Sequence, residues 1–123
     1  MAENSEIIKE FIDCWSTLDA DKLAEYFTED GTYYNMPAQA VTGRDNVRQF
    51  IAGFLATWTE TQWDVLNIIA AGDIVIAERL DRTKTSHGDV DLPCCGVFEL
   101  VDGKIKIWRD YFDLGTFMKA MQG

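Results

Sequence analysis

The sequence predicts an α+β fold, with helices in the first half and a run of antiparallel strands in the second. Before about residue 60, apolar residues recur every three to four positions. Between 61 and 112, four segments are instead rich in Val, Ile, Phe and Trp, and Gly-Asp punctuation separates them. Helices first and a strand meander second place the helices over one face of a bent sheet, a cone whose inner face can enclose a ligand.

Ile7, Ile8, Phe11, Ile12 and Trp15 stand at helical spacing, with Asn4 or Ser5 available as N-cap. Asp19 can cap a shorter helix carrying Leu23, Tyr26 and Phe27. Asp30-Gly31 breaks that helix, and Thr32-Tyr33-Tyr34-Asn35-Met36 reads as a short strand ended by Pro37. After Gly43 a third helix presents Val47, Phe50, Ile51, Phe54, Leu55 and Trp58 as one apolar stripe. Strands near 61–71, 73–84, 90–101 and 104–112 follow, separated by Ala71-Gly72-Asp73, His87-Gly88-Asp89 and Val101-Asp102-Gly103. Asp113 then caps a closing helix holding Phe117, Met118 and Met121.

A length of 123 residues suits one domain over 1–123, and 47% apolar residues suffice for a core without disulfide or metal. The net charge of −10, with no basic cluster, disfavours nucleic acid and anionic membranes, since both need surfaces lined by Lys and Arg. No segment approaches the roughly 20 apolar residues of a membrane span. The acidic start Met1-Ala2-Glu3-Asn4-Ser5-Glu6 lacks the basic lead of a signal peptide. Cys14, Cys94 and Cys95 are expected as reduced thiols in the cytoplasm. With His87 the single histidine, in a turn, and no closely spaced cysteine set, no metal or cofactor is expected.

Alternation along strands separates the two faces of a sheet. Val75, Ala77, Arg79, Asp81 and Thr83 share one face, so Arg79 and Asp81 are neighbours on it. Asp110 shares a face with Trp108 and Phe112, and Tyr33 shares one with Asn35. On this pattern alone an exposed Arg79–Asp81 ion pair worth under ~1 kcal/mol is the commoner outcome. Asp110 equally fits a water-exposed position, Tyr33 a core residue with its hydroxyl at the surface, and the Phe50, Phe54, Trp58 stripe a core contact.

Together these segments resemble limonene epoxide hydrolase and its relatives. The resemblance runs through Tyr33-Tyr34-Asn35-Met36-Pro37, Gly43-Arg44-Asp45, Glu78-Arg79-Leu80-Asp81, Gly96-Val97-Phe98 and Trp108-Arg109-Asp110-Tyr111-Phe112-Asp113-Leu114. It extends from about residue 5 to the C-terminus. It implies a strongly curved mixed sheet packed against N-terminal helices, a deep apolar pocket and a homodimer. The family's Tyr and Asn fall on Tyr33 and Asn35, and its Asp-Arg-Asp set on Asp81, Arg79 and Asp110. The implied pocket wall comprises Ile12, Phe54, Leu92, Phe98 and Phe112. It also takes in Trp15, Trp58, Thr83 and Cys94, where relatives tend to be aliphatic.

Turn chemistry bears on register. A two-residue Asp102-Gly103 loop would set Cys95 opposite Asp110. A three-residue Val101-Asp102-Gly103 loop would set Cys94 there, with Phe98 rather than Glu99 facing inward, and is the favoured alternative. Cys94 is then expected to line the pocket and Cys95 to face away.

The expected chemistry is cofactor-free hydrolysis of an apolar epoxide, terpenoid, cyclic or aryl, to a vicinal diol. Asp110 would act as base on a water held by Tyr33 and Asn35, and a protonated Asp81 as acid, with Arg79 bridging both. The rivals are an isomerase, cyclase or dehydratase on the same cone, and a small-ligand-binding module.

Overall fold

A computed structural model describes the backbone of residues 3–122 and the side chains of residues 3–120. Helix α1 (Asn4–Cys14) forms because Ile8, Phe11 and Ile12 make one buried stripe, continued by Trp15 in a 3-10 turn. Its start differs from expectation. Glu3 is the N-cap and offers no side-chain cap, while the Asn4 amide donates instead to the Gly72 carbonyl at 3.0 Å. Asn4 thus ties the helix to a turn of the sheet, a long-range bond that a local capping rule does not see.

Helix α2 (Ala20–Ala24) is capped as expected, with Asp19 Oδ1 accepting from the amides of Asp21 and Lys22. It is shorter than its apolar spacing suggests, because Phe27 already belongs to strand β1 (Phe27–Asn35). Asp30-Gly31 does not separate helix from strand but lies inside β1, where the pairing register shifts between Phe27 and Thr32. Such a bulge absorbs turn-forming residues without ending the strand. Gly31 is required there for space: a Cβ would meet the Ile105 carbonyl oxygen at 3.0 Å. A short strand β2 (Ala40–Thr42), unforeseen in the sequence, folds back on β1.

Helix α3 (Arg44–Leu55) follows Gly43 at its N-cap and buries Val47 and Ile51. Trp58 stands past its end, opening strand β3 (Trp58–Ala71). Strands β4 (Ile74–Thr85), β5 (Asp89–Val101) and β6 (Lys104–Phe112) complete the meander. Helix α4 (Leu114–Gln122) closes the chain, with Asp113 Oδ2 accepting from the Thr116 amide. The side chain of Met121 lies outside the described residues. No described helix is long and apolar enough to cross a membrane.

The six strands form one curved mixed sheet in the order β2-β1-β6-β5-β4-β3. The β1–β6 pair is parallel and the other pairs are antiparallel. This one parallel pairing brings the first third of the chain beside the last, with Asn35 opposite Asp110 and Tyr33 opposite Trp108.

The β5–β6 hairpin corrects the expected register. Its loop has two residues, Asp102 (φ 49°) and Gly103 (φ 77°), both in the left-handed region, with Val101 paired to Lys104. A register shift between Glu99 and Leu100 then leaves Lys106 unpaired, so Gly96 lies opposite Asp110, not Cys94 or Cys95. The bulge supplies the extra residue that a longer loop would have supplied, and therefore restores the same parity. Cys94 and Phe98 point inward, 5% and 0% exposed, while Cys95 is only half-buried.

Candidate active site

Arg79 is fully buried at the centre of the concave face. Its Nε donates to Asp81 Oδ1 at 3.0 Å and its Nη2 to Asp81 Oδ2 at 2.8 Å. Its Nη1 and Nη2 donate to Asp110 Oδ1 and Oδ2, both at 2.9 Å. Each carboxyl group thus takes two bonds from one planar fork, the geometry at which guanidinium excels. Asp81 and Asp110 are 5% and 3% exposed, so the exposed ion-pair alternative is ruled out.

Packing holds the guanidinium in place. Its carbon lies 4.5 Å from the Trp63 ring centroid and 5.7 Å from that of Trp108. Trp108 in turn stacks on Tyr33, with centroids 4.2 Å apart and planes 4° from parallel. Burial works against the charge on Arg79, but Asp110 and Asp81 outweigh it and raise its proton affinity further. Burial pushes the Asp81 carboxyl up, against the opposing pull of Arg79. Burial, then the nearby Asp110, pushes the Tyr33 phenol well up, so it is a neutral donor. The Cys94 thiol, pushed up chiefly by burial, donates to Asp81 Oδ2 at 3.4 Å.

Above these groups opens a cavity of about 250 Å³. Asp81, Asp110, Tyr33, Asn35 and Cys94 face it at one end. Neither the Tyr33 hydroxyl nor the Asn35 amide has a side-chain partner among the described residues, and both line the cavity. Most of the remaining wall is apolar, and it includes Phe54, Trp58, Leu92 and Phe112 as the sequence suggested.

Four expected wall residues do not reach the cavity. Ile12, Trp15 and Phe98 are fully or almost fully buried in the core: Trp15 stacks on the back of Trp63 (4.2 Å, 16°) and Phe98 on Trp108 (5.2 Å, 17°). Thr83, though on the inner face of β4, is bonded to Thr61 Oγ1 at 2.7 Å and lies beyond the cavity's edge. The sequence did not single out Trp63, Phe50, Leu114, Phe117, Ala38 and Gln39, which also line it. Phe50 stands one helical turn before Phe54, a signal that was available. Trp63 could be found only through its pairing with Asp81, because a bulge in β3 between Val65 and Asn67 upsets simple counting.

The expectation that no ligand cluster exists also needs correcting. The fold brings atoms of Asp81, Cys94 and Asp110 within 4.8 Å of one another, close enough to hold a metal ion. All four carboxylate oxygens already accept from Arg79, however, so a guanidinium stands where a cation would.

Residues 2–123 match the family model of the limonene-1,2-epoxide hydrolase catalytic domain. The chain belongs to that family. Epoxide hydrolase EphG of Mycobacterium tuberculosis is 42% identical over 52 residues, a match spanning 42% of this chain and 35% of that one. The alignment therefore covers about a third of that relative's length. An LEH-like epoxide hydrolase structure from M. tuberculosis superposes with a TM-score of 0.83 at 25% identity, covering 96% of this chain and 88% of the other. A structure described as a SnoaL-like polyketide cyclase, from Shewanella putrefaciens CN-32, superposes with a TM-score of 0.86 at 15% identity, covering 98% and 97%. That second likeness, at 15% identity, is one of fold alone.

Proposed function

We propose that this family member hydrolyses a small apolar epoxide to a vicinal diol in one acid–base step, with no covalent intermediate and no cofactor. The observation that carries the reading is the buried Arg79 fork, which holds Asp81 and Asp110 side by side at the polar end of an apolar cavity.

Epoxide opening needs a nucleophile at carbon and a proton for the departing oxygen. Water attacks well only if a base takes its proton in the same step. Two carboxyl groups sharing one guanidinium in a dry site retain one proton between them, which keeps the cluster near neutral. Asp81, whose carboxyl burial pushes upward, holds that proton and delivers it to the epoxide oxygen. Asp110 is the base. The hydroxyl of Tyr33 and the amide of Asn35, without side-chain partners among the described residues, orient the water; the β1–β6 pairing sets Asn35 opposite Asp110 and Tyr33 opposite the neighbouring Trp108. Aromatic walls hold the hydrocarbon part of the substrate and exclude bulk water.

A single turnover in ¹⁸O-water is expected to put the label in the diol and leave the protein unlabelled, as read by mass spectrometry of both. Label in an Asp side chain would mean an ester route and end the proposal. Including a ketosteroid beside limonene oxide and aryl epoxides separates this reading from an isomerase, which has no need of a cation between its acids. A ligand-binding module would form no diol from any of them.

The working unit is proposed as a cytoplasmic homodimer of one domain, 1–123, with no nucleic-acid or membrane partner. Three unpaired thiols suit a reducing compartment. The convex face of the sheet exposes Ile69 (69%), Ile74 (44%) and Ile76 (42%), an apolar patch unusual for a monomer's sheet. Sedimentation is expected to give a dimer, and I69K/I76K a monomer; a monomeric parent chain would overturn this.

A further inference from the structure

Arg79 and Asp110 are not on neighbouring strands. Strand β5 runs between them, and the guanidinium must cross it to reach the second carboxyl group. At the crossing stands Gly96, paired with Ala77 of β4 on one side and with Asp110 of β6 on the other. A Cβ on Gly96 would lie 2.9 Å from Arg79 Nη1, 2.9 Å from Trp108 Nε1 and 2.9 Å from Phe98 Cε1. Gly96 is not among the glycines of positive φ, which are Gly43, Gly72, Gly88 and Gly103. Its value therefore lies in the space it leaves, not in its backbone freedom.

The three crowding atoms do not yield equally. Trp108 is fully buried and stacked between Tyr33 and Phe98, and Phe98 is fully buried beside it. The guanidinium is the one group at the end of a flexible chain. Nη1, the atom nearest the notch, binds Asp110 Oδ1, Nη2 is shared between Asp110 Oδ2 and Asp81 Oδ2, and Nε, farthest along the fork, binds Asp81 Oδ1. A methyl group here would therefore push the fork off Asp110 first and leave the Asp81 pair standing.

We propose that Gly96 is a positioning residue, whose missing side chain is the notch through which Arg79 reaches Asp110. Its consequence for turnover rests on the epoxide hydrolase reading above; the geometry itself does not. Gly96 lies outside the cavity wall, so a change there acts through Arg79 and not through substrate contact.

The test is G96A. With limonene oxide or an aryl epoxide, kcat is expected to fall about 100-fold, the scale of an ångström-sized misplacement, with KM changed less than about threefold. Independently of activity, ¹⁵N NMR of the arginine side chains should show a protected Nη1 signal for Arg79 in the parent chain. That signal should be lost in G96A while the Nε–H bonded to Asp81 is retained. Unchanged kcat with an unchanged Nη1 signal would overturn the proposal. If the parent protein opens no epoxide but G96A still loses the Nη1 signal, the positioning role stands and the reaction assignment fails. Thermal unfolding covers the case of poor folding. The loss of Tm caused by G96A should be at least halved in an R79Q background, where Nη1 is gone; an equal loss in both backgrounds means that Gly96 serves packing alone and overturns the proposal.

Discussion

Asp110→Asn is expected to lower kcat by about 10²–10⁴-fold, the range for loss of a general base, while leaving the fold intact. The amide keeps the shape of the carboxyl group and one acceptor oxygen, so Arg79 retains a bond on that side. What disappears is the capacity to take a proton from water. The site also loses a negative charge, leaving the guanidinium beside Asp81 alone, which then favours the ionised form of Asp81. One substitution thus removes the base and weakens the acid, an argument for the upper part of that range. Stopped-flow or chromatographic assay of diol formation, with circular dichroism as the control for folding, measures it. A variant within tenfold of the parent would remove Asp110 from the mechanism.

Arg79→Met is expected to abolish turnover and to cost about 3–5 kcal/mol of stability near neutral pH, as when one partner of a buried ion pair is removed. Methionine fills part of the volume between Trp63 and Trp108 but satisfies none of the four carboxylate oxygens. The sign of the pH dependence is set by Asp81, which burial already pushes up while Arg79 opposes it. Without Arg79 the folded-state value rises further above that of the unfolded chain, roughly 3.9. A raised folded value means stability fully present below the unfolded value and lost as pH rises through the folded one. The variant should therefore resist urea better at pH 4.5 than at pH 8. Equal or greater stability at pH 8 would contradict the burial of an uncompensated acid.

Much of the site was legible in the chain because strand parity is strictly local. Arg79 with Asp81, Asp110 between Trp108 and Phe112, and Tyr33 with Asn35 are each pairs two residues apart, and such pairs share a face whatever the sheet does next. Their burial was not legible. Arg79 next to Asp81 reads as a solvated pair until helices α1 and α3 cover the face that carries it. The errors fall where one local rule yields to a distant partner. Asn4 left its capping role for the Gly72 carbonyl, and Asp30-Gly31 became a bulge instead of a turn. Trp15 and Phe98 became backing for the rings of Trp63 and Trp108 and never reached the cavity.

By itself the sequence determined, β2 apart, the kinds of element and their order, the inward faces of the strands, and the side chains able to do acid–base work. All of these follow from spacing along a few neighbouring residues. Only the tertiary structure decided that β1 pairs in parallel with β6, that a bulge rather than a longer loop sets Gly96 against Asp110, and that Arg79 passes through that gap to join two acids. Those outcomes depend on contacts between residues 14 to 75 apart, from Gly96 with Asp110, through Arg79 with Asp110, to Asn35 with Asp110. Volume exclusion and charge pairing among distant groups select them, and neither leaves a periodic trace in the local chain.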